Sequence, residues 1–252
     1  MGLEADTPIV KGTQLLLVVP CYNEAKRFQA EKWEAFIKTH PECGFVLVDD
    51  GSSDNTLELL TQLAQKNRTN ISVLAHAHNS GKAAAVRTGM LEALQAKPEK
   101  IGFLDADLSV TPQECLRLSQ YITSDITFVF GSRIKKIDNV IQRKWYRFLI
   151  GRFIATLISK MLTLPVYDTQ CGAKVFATSL VPILFEKPFI SQWLFDVELF
   201  FRALKHYGKP LFIKRSREIP ISQWIDTADS KVHLGYGFSL WFDLLKIYKA
   251  YT

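Results

Sequence analysis

The sequence predicts an α/β fold in which a mostly parallel sheet is covered by helices on both faces. Short apolar runs alternate with amphipathic helical patterns between residues 14 and 130, the order produced by right-handed β-α-β crossovers. The chain has 252 residues, with 48% hydrophobic and 22% charged, a globular composition with enough length for a substantial core. Acidic motifs follow several apolar runs, and ligands bind at the carboxyl ends of such strands.

Five buried strands are predicted from apolar runs that end in turn residues. They are 14–19, 45–48, 71–75, 101–104 and 126–130. Helices are predicted between them from capping residues and apolar periodicity. They are a helix after 53–56 with Leu57, Leu60, Leu63 and Ala64 on one face, then 81–96, 112–122 opened by Thr111-Pro112, 140–164 and 238–251.

Asp105 and Asp107 are the most informative residues, because an apolar strand ends at these two carboxylates. Side chains two positions apart leave a strand on the same face, so both could hold one hard cation. Such a cation would neutralise a diphosphate. The alternative is that Asp is simply a turn former at the end of a strand.

Charge and cysteine content exclude several classes of protein. The net charge of +6 suits a nucleotide, a lipid phosphate or a membrane surface, and is too small to indicate nucleic acid. The four cysteines are far apart and form no C-x-x-C pair, which argues against disulfides or zinc and favours a reducing cytosol. No signal peptide is predicted, since residues 1–13 contain no long apolar run after a basic start. No transmembrane helix is predicted, since Arg152 and Lys160 interrupt the most apolar stretch, 148–164.

Two helical patterns leave membrane contact open. The segment 140–164 mixes arginines with large aromatic residues, and 238–251 carries many apolar side chains and few charges. The first helix could bury Trp145 and Phe148 in the core, or lie in a membrane interface with its arginines reaching lipid phosphates. The second helix could pack in the core or in a dimer, or could contact a membrane.

Motifs at 19–24 (VPCYNE), 48–56 (VDDGSSDNT), 79–87 (NSGKAAAVR) and 105–108 (DADL) occur in one order along the chain. The ordered set resembles the family 2 glycosyltransferases of the GT-A fold. Motifs at 131–133, 168–176 and 192–199 resemble the polyprenyl-phosphate branch, first dolichyl-phosphate glucosyltransferases and second dolichyl-phosphate mannose synthases. The resemblance implies a single GT-A domain over 1–252, with a nucleotide-binding half at about 14–133 and an acceptor and membrane-facing half at about 134–252.

The resemblance also implies a donor site. Tyr22 would stack on the base, and Asp50 would accept a hydrogen bond from a base N–H. Asp105 and Asp107 would hold Mn²⁺ or Mg²⁺ against the diphosphate. The residues implied for the nucleotide, the diphosphate and the metal are Pro20, Tyr22, Glu24, Val48, Asp50, Lys82, Asp105, Ala106, Asp107 and Lys231.

For the acceptor, the resemblance points to Arg133, Arg143 and Arg147 as phosphate ligands, because arginine binds phosphate oxygens bidentately. A phosphate monoester with a second pKa of about 6 is ionised at pH 7 and needs no general base. Asp196 would then bind sugar hydroxyls or organise the acceptor loop, whereas a hydroxyl acceptor would make it the base. The catalytic residues expected are Asp107, Asp196 and Arg133.

The function expected is inverting, metal-dependent transfer of a hexose, glucose from UDP-glucose, to dolichyl or undecaprenyl phosphate. The enzyme would lie peripherally at the cytosolic face of a membrane, with a membrane-anchored partner or a second copy as possible protein partners. Alternatives are transfer from GDP-mannose, transfer to a saccharide hydroxyl, and a nucleotide-sugar-binding regulatory protein. A glycosidase is excluded, because its two carboxylates must flank a glycosidic bond.

Overall fold

The fold is built on a twisted sheet whose strands come from most of the chain; the computed structural model describes residues 12–142, 145–225 and 236–251. The strands in these ranges are β1 (Leu15–Cys21), β2 (Cys43–Asp49), β3 (Ile71–Ala75), β4 (Lys100–Phe103), β5 (Phe128–Ser132), β6 (Val140–Gln142), β7 (Lys174–Ala177), β8 (Ser216–Pro220) and β9 (Gln223–Ile225). The helices are α1 (Ala30–Thr39), α2 (Thr56–Lys66), α3 (Lys82–Ala93), α4 (Pro112–Ser119), α5 (Trp145–Leu162), α6 (Val181–Phe185), α7 (Phe195–Tyr207), α8 (Lys209–Arg215) and α9 (Tyr236–Tyr251).

Seven strands form the main sheet in the order β3-β2-β1-β4-β7-β5-β8. All neighbouring pairs are parallel except those made by β7, which runs antiparallel to both β4 and β5. The remaining strands, β6 and β9, pair in parallel as a separate ribbon. Since β1 lies between β2 and β4, the loops after these three strands meet at one edge of the sheet.

Apolar cores lie on both faces of the sheet, as the sequence predicts. Alternate residues of β1 point to opposite sides, so that Leu16 and Val18 join one core while Leu15, Leu17 and Val19 join the other. Helices α3, α5, α7 and α9 contribute to the first core, and α1, α2 and α4 to the second. Each helix therefore buries one apolar stripe against the sheet or a neighbouring helix.

Several predicted elements are confirmed and others are wrong at their ends. The strand at 71–75 is confirmed residue for residue, and the Thr111 hydroxyl caps α4 by accepting a hydrogen bond from the Glu114 N–H. The predicted helix 140–164 is wrong at its start, because 140–142 pair with β9 before α5 begins. The helix predicted at 81–96 is confirmed as α3 followed directly by a 3-10 turn at Leu94–Ala96. Leu57 on α2 is exposed rather than buried.

Among the described residues, no helix combines the length and the apolar character needed to cross a bilayer.

Candidate active site

A cavity of about 540 Å³ opens at the carboxyl ends of β1 and β4, where the acidic motifs were expected to meet. Residues from the loops after these strands, from the start of α3 and from the start of α7 line it. Of the residues implied for donor and acceptor, the following line this cavity: Pro20, Tyr22, Glu24, Asp50, Lys82, Asp105, Ala106, Asp107, Arg133 and Asp196.

The other implied residues are not brought to the cavity. The Val48 side chain is fully buried in the core, packed beneath α3 where Gly89 leaves space for it. Arg143 and Lys231 lie outside the described residues, and so does the side chain of Arg147, whose backbone belongs to α5. Their expected roles stay predictions.

Asp105 and Asp107 reach the cavity from a turn and not from a strand. Strand β4 ends at Phe103, so the two-residue period of a strand does not place these side chains. A turn does so: Leu108 has a positive φ of 56°, and the Ser109 N–H donates to Asp107 Oδ1 at 2.9 Å. Gly172 packs against the Asp105 carboxylate, which a Cβ at that position would strike.

Lys82, the first residue of α3, forms an ion pair with Asp105, with 2.5 Å between Nζ and Oδ1. Burial lowers the pKa of Lys82, but the negative charges of Asp105, Asp196 and Asp107 raise it more, so that its pKa lies above the ordinary value. Lys82 is therefore an ammonium ion at neutral pH, aimed at the carboxylates of the cavity.

The Asp50 carboxylate is buried and fixed by the protein itself. Its oxygens accept hydrogen bonds from the backbone N–H groups of Ser80 and Gly81, at 2.9 and 2.8 Å, and Oδ1 lies 2.8 Å from His76 Nδ1. The turn after Asp50 needs Gly51, which has a φ of 65° and lies so close to the His78 backbone that no side chain would fit. Asp50 thus anchors the start of α3, a role beyond the base contact expected of it.

Glu24 is held by Arg27, which sequence reasoning missed. The guanidinium donates through Nε to Oε2 at 3.0 Å and through Nη2 to Oε1 at 2.6 Å, a bidentate pair at the cavity wall. The spacing of three residues between Glu24 and Arg27 was the sequence signal that could have predicted this ion pair.

Arg133 and Asp168 form a second, more buried fork. Arg133 Nε and Nη2 donate to the two Asp168 carboxylate oxygens at 2.7 and 2.9 Å, which leaves Nη1 outside the fork. Burial raises the pKa of Asp168, but the Arg133 guanidinium lowers it to about 2, below the ordinary 3.8. Glu218 on β8 accepts from the Tyr167 and Asp168 N–H groups and so positions this loop. The Arg133 guanidinium lies 5.5 Å from the Trp224 ring.

Asp196 at the start of α7 forms an ion pair with a fully buried lysine. Lys174 Nζ lies 2.5 Å from Asp196 Oδ1 and donates to the Cys171 carbonyl at 2.8 Å. The preceding Trp193 is 37% exposed and contributes an aromatic wall to the cavity, as does Trp224 on β9. Neither tryptophan was singled out from the sequence, where no local signal separates them from core aromatics.

Two solved structures illustrate the same architecture. Mannosyl-3-phosphoglycerate synthase from Rubrobacter xylanophilus aligns with a TM-score of 0.67 at 15% identity, covering 95% of this chain and 74% of that one. Glucosyl-3-phosphoglycerate synthase from Mycobacterium tuberculosis, in complex with Mn²⁺, UDP-glucose and phosphoglyceric acid, aligns with a TM-score of 0.64 at 15% identity over 94% of this chain and 80% of its own. At this identity the likeness defines the fold, which is the GT-A class.

Sequence comparison identifies the family. The glycosyl transferase family 2 model matches residues 16–181, and the chain belongs to this family of glycosyltransferases. It is 31% identical to a dolichyl-phosphate beta-glucosyltransferase of Trichomonas vaginalis, over 91% of this chain and 69% of that protein. It is 28% identical to the dolichyl-phosphate beta-glucosyltransferase of Mus musculus, over 87% of this chain and 69% of that protein.

Proposed function

We propose that this chain transfers glucose from UDP-glucose to dolichyl phosphate or a related polyprenyl phosphate, with inversion at the anomeric carbon and with a divalent cation, at the cytosolic face of a membrane. The observation that carries the proposal is the position of Arg133, which lines both the main cavity and a small cleft beside α5. The names of the curated relatives support glucose as the sugar and a dolichyl phosphate as the acceptor.

The donor side of the cavity fits a nucleoside diphosphate held with a cation. Among the described residues, five carboxylates and three Lys or Arg side chains line the cavity, so an anionic diphosphate needs additional positive charge there. The described residues contain no cluster of three or more His, Cys, Asp or Glu that could form a closed metal cage. Two carboxylates, Asp105 and Asp107, nevertheless suit Mg²⁺ or Mn²⁺, whose other ligands would be phosphate oxygens and water.

When bound, the cation would supply Lewis-acid stabilisation of the negative charge that develops on the leaving diphosphate. Lys82 adds an ammonium ion on the same side. Tyr22, 37% exposed on the cavity wall, offers a stacking face for the base. A phosphate oxygen of the acceptor forms the new bond to the anomeric carbon from the opposite side, as the bond to the diphosphate breaks and UDP leaves.

The acceptor side fits a phosphate monoester attached to an apolar chain. Arg133 is held by Asp168 in one orientation, so it can place an acceptor phosphate without a large loss of side-chain freedom. The cleft beside it is lined by Phe148 and Gly151 of α5. From there an apolar chain would run along the exposed side of α5, where Phe148, Leu149 and Phe153 are 41, 56 and 67% exposed.

Purified protein incubated with labelled UDP-glucose, Mn²⁺ and dolichyl phosphate in detergent is expected to produce label that extracts into chloroform, and no such label when EDTA replaces Mn²⁺. Undecaprenyl phosphate tests tolerance for the lipid, and GDP-mannose tests the alternative donor. Label that stays in the water phase with every polyprenyl phosphate would contradict the lipid acceptor. Asp196→Asn separates the acceptor classes once circular dichroism shows that the variant folds, because it leaves the buried Lys174 without its carboxylate partner. Turnover with a phosphate acceptor should then be retained in part, whereas turnover with a saccharide hydroxyl acceptor should be lost almost completely.

Membrane attachment is expected to depend on the exposed apolar faces of α5 and α9. Trp241, Phe242, Leu245 and Tyr248 of α9 are 40, 66, 50 and 37% exposed, and α9 packs on the same side of the sheet as α5. Replacing Phe153 and Phe242 by Glu should lower the fraction of protein that floats with anionic liposomes by at least about half, because apolar burial in the interface is lost.

The matched control is Leu57→Glu, which changes an apolar residue of 40% exposure on α2, against the opposite face of the sheet. It should float like the unmodified protein. Equal flotation of the Phe153→Glu, Phe242→Glu double variant would place the attachment elsewhere.

A further inference from the structure

Lys82 occupies a position where a cation coordinated by Asp105 would compete with it. Its Nζ lies 2.5 Å from Asp105 Oδ1, and its side chain is 30% exposed toward the cavity. The Asp105 side chain is 34% exposed, but its Oδ1 is buried. The lysine therefore lies against the oxygen of Asp105 that solvent does not reach.

An ammonium ion and a divalent cation cannot both contact Asp105 Oδ1 without strong repulsion. At the few ångströms that would separate them, the two positive charges would be weakly screened, because the site is partly buried. The lysine stem is flexible and its head group lies at the cavity surface, so Lys82 is able to leave Asp105. A diphosphate entering the cavity offers it new oxygen partners.

We propose that Lys82 is an internal counter-ion of Asp105 that moves to the diphosphate when the metal binds, so that metal and nucleotide bind cooperatively. This proposal rests on the divalent cation of the proposed function, and it adds a mechanism that regulates binding at the same site. In the donor-free protein the lysine keeps the metal affinity low. In the presence of the nucleotide the lysine has another anion to contact, and Asp105 becomes available to the metal.

Two simpler roles of Lys82 give different expectations. A permanent structural ion pair would stay closed when UDP binds, so its removal would tighten Mn²⁺ binding equally with and without UDP. A lysine that only contacts the diphosphate would strengthen UDP binding, and its removal would leave the affinity for metal alone unchanged. Only a displaceable counter-ion couples the affinity for Mn²⁺ to the affinity for UDP. Thermodynamic linkage then requires UDP to tighten Mn²⁺ binding by the same factor by which Mn²⁺ tightens UDP binding.

The test measures Mn²⁺ binding by electron paramagnetic resonance, with and without UDP, for unmodified protein, Lys82→Gln, Lys82→Arg and Lys66→Gln. Lys82→Gln is expected to bind Mn²⁺ about tenfold more tightly without UDP, and UDP should tighten its Mn²⁺ binding less than it does for the unmodified protein. Lys82→Arg keeps the cation and should keep weak metal binding. Lys66→Gln removes the same charge from an exposed pair with Glu34 on another helix and should change nothing.

Unchanged or weaker Mn²⁺ binding by Lys82→Gln without UDP would overturn the counter-ion role while leaving the proposed function intact. Absence of Mn²⁺ binding in the unmodified protein with UDP present would overturn both. The unmodified protein provides a check that needs no variant. If UDP does not tighten its Mn²⁺ binding at all, the cooperative exchange is wrong.

Discussion

Replacing Asp107 by Asn is expected to lower kcat/KM for sugar transfer by about a thousandfold, equivalent to roughly 4 kcal/mol of transition-state stabilisation. The amide oxygen can still accept the Ser109 N–H bond that shapes the turn, so the fold should be kept. What is lost is one of two negative charges available to a cation beside the diphosphate. The measurement is steady-state transfer from UDP-glucose, together with Mn²⁺ affinity in the presence of UDP.

Asp125→Asn is the control, because it removes one negative charge from an exposed turn before β5. It should leave both quantities unchanged. An Asp107→Asn enzyme that keeps more than about a tenth of normal turnover would show that this carboxylate does not support the metal or the diphosphate.

Arg133→Met is expected to lower transfer to a polyprenyl phosphate by at least about a hundredfold and to lower the free energy of unfolding by about 3–5 kcal/mol. The first effect comes from loss of the phosphate ligand. The second comes from Asp168, which would be left as an uncompensated buried carboxylate. Urea denaturation and the chloroform-extraction assay measure the two effects separately.

The Arg133→Met, Asp168→Asn double variant is the matched control, since it removes both charges of the pair. It should recover part of the stability and none of the turnover. Recovered turnover would mean that Arg133 matters for folding alone.

The pH dependence of stability gives an independent check on the same pair. The pKa of Asp168 is depressed in the folded protein, to about 2 from 3.8. The stabilisation is therefore fully present above the unfolded value and is lost as the pH falls through about 2. The stability of the unmodified protein relative to the Arg133→Met, Asp168→Asn double variant, which lacks this carboxylate, should be constant above about pH 5 and should fall below about pH 4.

The main strands and the position of the cavity could be predicted from the sequence. Buried parallel strands appear as apolar runs, and their carboxyl ends meet at one edge of the sheet. Strand β3 has the predicted ends, and the motifs after β1, β2 and β4 lie at one edge of the sheet because these strands are neighbours. Strand β7 could not be placed this way. It runs antiparallel between β4 and β5 and comes from a segment more than 40 residues after β5.

The small ribbon of β6 and β9 shows the limit of local patterns. Each strand has three residues, too few for a periodic signal, and their partners are about 80 residues apart in the chain. The aromatic segment after residue 140 therefore predicted one long helix. The pairing with β9 replaces its first residues by a strand, because long-range backbone hydrogen bonds outweigh local helical preference there.

The sequence by itself determined an α/β sheet, the family of transferases and the edge at which the acidic residues gather, since these follow from apolar periodicity and ordered motifs. Only the tertiary structure decided which charge three of the acids meet: Lys82 for Asp105, Arg133 for Asp168 and Lys174 for Asp196. All three partners come from distant segments of the chain. Their distances depend on how strands and helices pack, which no local spacing encodes.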